Sequence, residues 1–348
     1  MILRSLRRAA WTITFAILAA NASAQLAEVT AADAEIVLRL AASVSEPVSV
    51  FAAAVHEGDE AARTRPPVWA GVPNGTAITL SRFDGPTDRL YSRFQITDAS
   101  GRPIGPRRYV TDLSRLSRSD AALPRPDSVK GLQCVVDLDD AVALGVKHAA
   151  VNVSLTSLYD PSGDSPIWCD VDGVRVAARE AAMAHLDATV KRMTDAGMRV
   201  NLILLNHVPP PGAPATPLRH PNTDPEPPNR IGAFNLTDAE GVRVFRGLVE
   251  LLAERYSRPD AAHGLVAGYI VGNEVQSHYD WYNLGDAAPE TVIREYAKAV
   301  RIADLAVRRF HPDARVFVSL DHNWTRRHRP ESTRSMPGRF LLDRLHAE

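Results

Sequence analysis

The chain has 348 residues, 45% of them hydrophobic and 23% charged, which is enough apolar material for a sizeable core. The 40 basic and 41 acidic side chains leave a formal net charge of -1, against the basic surplus of a nucleic-acid binder. No cysteine/histidine spacing resembles a zinc site, and no cofactor is expected.

Residues 1–25 read as an export signal. Arg4, Arg7 and Arg8 form a positive start, Ala9–Ala20 an apolar run too short to span a bilayer comfortably, and Ala22-Ser23-Ala24 a small-x-small cleavage site. A signal peptide over 1–24 is expected, leaving a secreted or periplasmic protein that starts at Gln25; the rival reading is an uncleaved anchor. No later segment has the roughly 18 consecutive apolar residues of a membrane span. Cys134 and Cys169 are an even pair that an oxidising compartment would allow to bond, or two thiols packed as small apolar groups. Two residues leave both readings open.

From Glu35 to about Arg118 the pattern is strand-like and rich in turns. Ile36–Leu40, Val48–Phe51, Thr79–Phe83 and Leu90–Ile96 are short alternating or apolar runs, the last two leading into Asp84-Gly85-Pro86 and Asp98-Ala99-Ser100-Gly101. This predicts a small antiparallel β domain over 30–122, either a sugar-binding module or a supporting layer. After Leu123-Pro124-Arg125-Pro126 the rhythm changes, and a second domain is expected over 126–348. Short strands are predicted at 130–133, 149–155 (AAVNVSL), 199–205 (RVNLILL), 266–272 and 315–320 (RVFVSL). Between them fall a short helix at 138–144 and one at 178–196 with Met183, Leu186, Val190 and Met193 on one face. A third opens at the capping box Thr237–Glu240, and a fourth runs from Pro289 to about Phe310.

Five strands alternating with helices, none joined by a tight hairpin, give an α/β class with a parallel sheet. The first strand-to-helix turn, Gln133–Asp140, has no GxGxxG, which argues against a dinucleotide fold. Polar residues gather instead after the strands: Asn206-His207, Asn273-Glu274 and Asp321-His322-Asn323-Trp324. Barrels carry their functional residues at the C-terminal strand ends, so a partial (β/α)8 barrel fits, with about five of the eight strands. The final Leu-Leu-Asp-Arg-Leu-His reads as a helix without a cap. An incomplete version of a longer protein is therefore expected; a natural five-stranded domain is the alternative.

The segment Val266–Tyr282 carries the chemistry. A dense apolar strand passes through Gly272 and empties into Asn273-Glu274, followed by Gln276, His278, Trp281 and Tyr282. An acid can protonate a glycosidic oxygen, an amide can hold a hydroxyl, and aromatic faces stack on sugar rings. These residues resemble the clan A glycoside hydrolases, whose fourth barrel strand ends in Asn-Glu. Together with Lys130-Gly131-Leu132-Gln133, the run Tyr269–Glu274 is most similar to a bacterial secreted family, the domain-of-unknown-function family 5722 (DUF5722), over about 128–325.

The resemblance implies that Glu274 is the general acid/base, that Asn273 binds a 2-hydroxyl, and that His207 sits where such barrels place a sugar-binding residue. It also implies a nucleophilic glutamate at a seventh strand, which the sequence does not contain; Glu290, Glu295 and Glu331 fall in helix or loop segments, and Asp321 does not match that position. Asn206, Trp281, Tyr282, Asp321, His322 and Trp324 are further candidates for substrate contact, with Tyr159 and Trp168 weaker ones of the same type. Each also has a structural reading, as a salt-bridged acid, a strand cap or ordinary loop packing. The loop 208–230 holds nine of the 25 prolines and either walls a cleft or is a surface insertion. The run Arg326-Arg327-His328-Arg329 reads as a solvated loop. The expectation is a secreted glycosidase-like protein acting on a β-linked glycan. The alternative is a non-catalytic carbohydrate-binding protein on the same scaffold.

Overall fold

A computed structural model describes residues 25–348 apart from Asp59, Ala61, Ala62 and Glu331. The expected signal peptide at 1–24 lies outside the described residues. Contacts divide the chain into two compact units, one ending at Ser117 and one beginning at Arg118.

The first unit is built from short strands: β1 (Leu26–Ala32), β2 (Glu35–Leu40), β3 (Val48–Ala53), β4 (Trp69–Gly71), β5 (Ala77–Ser81), β6 (Phe83–Asp84), β7 (Thr87–Asp88), β8 (Arg93–Thr97) and β9 (Asp112–Arg115). They form a sheet of order β5-β2-β1-β9, a second of order β4-β3-β8, and the ribbon β6-β7. Pairing is antiparallel apart from β1 with β9, which is parallel. In β2 the alternation is clear, with Ile36, Leu38 and Leu40 buried and Glu35 and Arg39 exposed. The sequence reading opens this unit at residue 30 but its strand pattern at Glu35, and misses β1, because three of the seven residues in Leu-Ala-Glu-Val-Thr-Ala-Ala are alanine and its burial does not alternate. The run expected as one strand from Leu90 instead opens with a 3-10 turn, Arg89–Tyr91, capped by Asp88. Asp88 also takes a buried bidentate pair from Arg82 at 2.6 and 2.8 Å, so the turn is pinned from both sides.

The second unit contains β10 (Gly131–Gln133), α1 (Leu138–Ala143), β11 (His148–Ser154), α2 (Leu155–Leu158), β12 (Tyr159–Asp160), β13 (Trp168–Val171), β14 (Val174–Ala178), α3 (Glu180–Asp195), β15 (Arg199–Leu205), α4 (Ala239–Arg255), β16 (Val266–Val271), α5 (His278–Trp281), α6 (Pro289–Phe310), β17 (Arg315–Val318) and α7 (Gly338–Leu345). Five strands pair in parallel in the order β10-β11-β15-β16-β17. That is chain order without a reversal. A doubly wound sheet turns back at a switch point, whereas a barrel adds each strand beside the last, so the sheet is partial and TIM-barrel-like.

Both faces of the central strands β15 and β16 are covered. Leu202 pairs with Tyr269 and Leu204 with Val271. On that face the Tyr269 hydroxyl reaches Leu252 O of α4 at 3.3 Å. The opposite face carries Ile203, Leu205 and Ile231 as a buried cluster, with Ala150, Ile270 and Trp281 packed against it. Two buried faces explain why the strands are continuous apolar runs rather than alternating ones. Helix α3 buries Met183, Leu186, Val190 and Met193, the four residues the period of the sequence selects. The capping box is displaced by one residue. Asp238, not Thr237, caps α4 by accepting from Gly241 N, while Thr237 Oγ1 donates to Asn235 Oδ1 at 2.7 Å.

The stretch expected as one loop after the second parallel strand contains the small sheet β12-β14-β13. It lies on α4 at Gly247, where an added Cβ would come within 2.8 Å of Val176. Arg246 of the same helix joins Asp172 (3.0 Å) and Glu250 (3.1 Å), and Glu250 also receives Arg309 of α6 at 2.8 Å. Cys134 and Cys169 are not joined. The Cys169 thiol donates to Gly247 O at 3.2 Å, and burial pushes it up to about 12; Asn152 Nδ2 donates to Cys134 Sγ at 3.4 Å. No helix among the described residues is long and apolar enough to cross a membrane.

Gly268 of β16 is the tightest point of the inner face. An added Cβ would overlap Asn201 Oδ1 and lie 2.6 Å from the Phe317 ring. Gly268→Ala is therefore expected to destabilise the protein by about 1–3 kcal/mol, read as a lower urea midpoint at unchanged m-value. An unchanged midpoint would show that the neighbouring strands are not packed this closely.

Candidate functional site

The register of the ladder decides which residues meet. Leu204 pairs with Val271 and Val271 with Val318. Counting three residues outward from that rung brings His207, Glu274 and Asp321 to the same end of the sheet. It is the C-terminal end, where barrels place their chemistry.

The chain leaves β16 through a sharp turn. Gly272 has φ 70°, and its missing side chain leaves room for the Tyr282 ring, which a Cβ would meet at 3.0 Å. Glu274 is itself left-handed at φ 40°, ψ 48°. A non-glycine residue held there costs about 1–2 kcal/mol, a strain found most often at functional positions. Ser319, just past β17, steadies the turn: its hydroxyl accepts from Glu274 N at 3.2 Å and donates to Asn273 Oδ1 at 3.4 Å, while its carbonyl accepts from Val275 N at 3.2 Å.

The two carboxylates of this end have opposite surroundings. Among the described residues no donor engages the Glu274 carboxyl. Burial first, and the negative charge of Asp321 second, hold it above the ordinary glutamate range, with His322 and His328 acting in the other direction. Asp321, by contrast, has a hydrogen-bond donor on each carboxylate oxygen. Ser277 Oγ donates to one oxygen at 2.6 Å, Asn323 N to the other at 2.5 Å, and Gln276 Nε2 to the backbone carbonyl at 3.2 Å. Burial works against its ionisation, but the hydrogen bonds outweigh it and hold Asp321 below the ordinary range.

The remaining candidates separate by position. Asn206 is buried and spent on structure: its amide donates to Leu218 O and Ala233 O at 2.7 Å each, and its oxygen accepts from Thr156 at 2.6 Å. It pins the proline-rich loop, whose neck closes through the bridge of His207 with Ile231 and the bond from Val208 N to Arg230 O. His207 keeps a buried Nδ1 without a partner, and burial lowers its basicity. Trp281 packs over the inner-face cluster, half-buried. Tyr282 is 1% exposed and stacks edge-on with Phe234 and Tyr296, so it belongs to the core. Tyr269 faces α4, its hydroxyl bonded to Leu252 O, on the face opposite the Ile203–Leu205 cluster. His322 and Trp324 are exposed; Trp168, also exposed, sits under the Arg175 guanidinium at 4.3 Å. Ser277 and Ser319 are the site partners that sequence reasoning does not single out. Their one sequence-level signal is small polar residues at the end of an apolar run.

A cavity of about 640 Å³ lies elsewhere, between α3 and the β10–β11 edge, lined by Val151, Leu158, Leu186 and Met193 with Arg192 at its side. The strand-end cluster is the better candidate, because it brings titratable groups with opposed environments together. Among the described residues no three histidine, cysteine, aspartate or glutamate side chains gather as metal ligands would.

A partial TIM-barrel-like unit with an unengaged acid at the end of its fourth strand defines the class. Residues 122–348 match the family described as "Family of unknown function (DUF5722)", and the chain belongs to that family. No curated protein matches it. Among solved structures it is similar to a β-glycosidase from Thermosphaera aggregans, with 18% identity and a TM-score of 0.35 over 52% of this chain and 41% of that one. A GH53 catalytic domain from Ignisphaera aggregans is similar at 13% identity and TM-score 0.32, over 57% of this chain and 54% of that one. An exo-β-1,4-mannosidase from Opitutaceae bacterium strain TAV5 is similar at 15% identity and TM-score 0.34, over 64% of this chain and 39% of that one. The chain thus spans about half the length of these structures or less.

The left-handed Glu274 gives a stability test. Glu274→Gly should leave the protein about 1 kcal/mol more stable than Glu274→Ala, since only glycine occupies this region freely. Equal urea midpoints for the two variants would remove the strain argument. The raised pKa of Glu274 gives a second. The folded chain binds the Glu274 proton more tightly than the unfolded chain does, so the stability linked to it is present at low pH and lost as pH rises through the folded value. Glu274→Gln should therefore melt higher than the parent at neutral pH and lose that advantage below about pH 4.

Proposed function

We propose that the protein is an exported glycoside hydrolase-like protein that acts on a β-linked oligo- or polysaccharide, with Glu274 as the proton donor. The observation that carries this reading is the contrast at the strand ends: each Asp321 carboxylate oxygen has a donor, whereas Glu274 has none and is held towards its protonated form. A general acid needs both properties, a proton retained near working pH and a carboxyl group free to reach the leaving oxygen. Asn273, oriented by Ser319, is the amide beside it that would hold a sugar hydroxyl. Half-buried Trp281 and exposed Trp324 offer faces for ring stacking. Export rests on the N-terminal signal in the sequence.

One observation favours the second reading, a carbohydrate-binding protein without turnover. A retaining mechanism uses two carboxylates about 5–5.5 Å apart, one of them free to attack. Asp321, which acts electrostatically on Glu274, has both oxygens committed to Ser277 and Asn323. Turnover separates the two readings.

In a hydrolytic protein Glu274→Gln should lower kcat on an unactivated glycoside by about 10²–10⁴-fold while leaving glycan affinity within a few-fold. Undiminished turnover would remove Glu274 from the mechanism. The acid acts while protonated, so kcat/KM should fall as pH rises through its raised value. The alkaline limb should therefore lie above the ordinary glutamate range and vanish in the variant.

A further inference from the structure

The loop that follows β17, residues 321–337, is tied down at both legs. On the outgoing leg Asp321 accepts from Gln276 and Ser277. On the returning leg Met336 N donates to Gln276 O at 2.8 Å, Tyr279 N donates to Arg334 O at 3.3 Å, and His278 Nε2 meets Thr333 O at 3.1 Å. Both legs stand on residues 276–279, directly after Glu274. The loop holds out Trp324, 49% exposed, and then Arg326, Arg327 and His328, all exposed.

Two arginines of the same loop are neutralised. Arg329 grips Asp280 at 2.7 and 3.2 Å, and Arg334 reaches Asp286 at 2.6 Å. The side chains of Arg326, His322 and His328 have no ion-pair or hydrogen-bond partner among the described residues, and that of Arg327 reaches only Ser332 O at 3.4 Å. An exposed arginine needs no partner to be stable, so exposure alone implies nothing. The location does. Asp321, which opens this turn, is bonded to Gln276 and Ser277, and its returning leg is bonded to Gln276, His278 and Tyr279, so the turn stands on the residues that directly follow Glu274, where Asp321 would otherwise repel a negatively charged ligand.

We propose that this turn is an anion subsite: the glycan carries a carboxylate or sulfate group, held by Arg326 and Arg327 while Trp324 stacks on a ring. The proposal rests on the carbohydrate reading above and names the substrate class within it. A guanidinium presents two parallel N–H groups to the oxygens of such a group, and the exposed Trp324 indole, two residues earlier in the same turn, would supply the apolar contact that a free anion lacks. The run that reads in sequence as a solvated loop thus becomes part of the site.

The test is affinity electrophoresis of the full chain carrying Glu274→Gln, which prevents cleavage. The gels contain β-linked polymers in charged and neutral forms: polymannuronate against mannan, and cellulose sulfate against hydroxyethylcellulose; polyacrylate supplies charge without sugar. At least one charged glycan should be bound about tenfold or more tighter than its neutral counterpart and than polyacrylate, as charge-assisted hydrogen bonds would give. Carboxylate and sulfate are distinguished by which pair shows the preference. Adding Arg326→Ala and Arg327→Ala should remove it, and Trp324→Ala should weaken charged and neutral binding alike. A preference that survives the double arginine change, equal binding of neutral and charged glycans, or equal binding of polyacrylate would overturn the anion subsite and leave the carbohydrate reading standing. Failure to bind any of the polysaccharides would overturn both.

Discussion

The parallel ladder from β11 to β17 is the constraint on which the site depends. Ser154 pairs with Leu205, Leu204 with Val271 and Val271 with Val318, so three loops leave the sheet at one level. Parallel strands connected by helices can be held this way only when both faces are buried. Ile203 and Leu205 on one side and Tyr269 against α4 on the other meet that condition. A slip of one residue would turn Glu274 to the other face and exchange the two apolar sets.

On that frame, local chemistry divides the work between two carboxylates. Asp321 takes donors from Ser277 and Asn323 and fixes one loop on the next. Glu274 stands on a left-handed turn, steadied only through its backbone by Ser319, and keeps its carboxyl unengaged. The order of the loop after β17 and the freedom of the acid are thus parts of one arrangement. Loops that return to residues 276–279 limit where the chain can go without occupying the side chain that matters.

Much of this was legible in the sequence. The α3 core positions, the start of α6 at Pro289 and the extent of β15 follow from period, proline placement and apolar density. Where the reading slipped, a short-range competitor won. Asp238 displaced Thr237 as the cap because Asn235 claims the threonine hydroxyl. The small sheet of β12, β13 and β14 escaped notice because strands of two to five residues carry too little pattern to separate from a loop. Asn206 and Tyr282 looked like site residues because polar and aromatic types at strand ends read alike whether they face solvent or core. Hydrogen bonds to Leu218, Ala233 and Thr156 commit one to its surroundings, and full burial commits the other to the aromatic cluster.

By itself the sequence determined the alternation of strands and helices, the parallel sheet that follows from it, and the place of Asn273-Glu274 at the end of the fourth strand. These depend on periodicity and connection length, which are local. Only the tertiary structure decided which carboxylate is hydrogen-bonded and which is free, that Ser319 holds the turn, that the two thiols are apart, and that two arginines of the loop after β17 are neutralised while their neighbours are not. Each of those depends on a contact between residues dozens of positions apart, which no local pattern encodes.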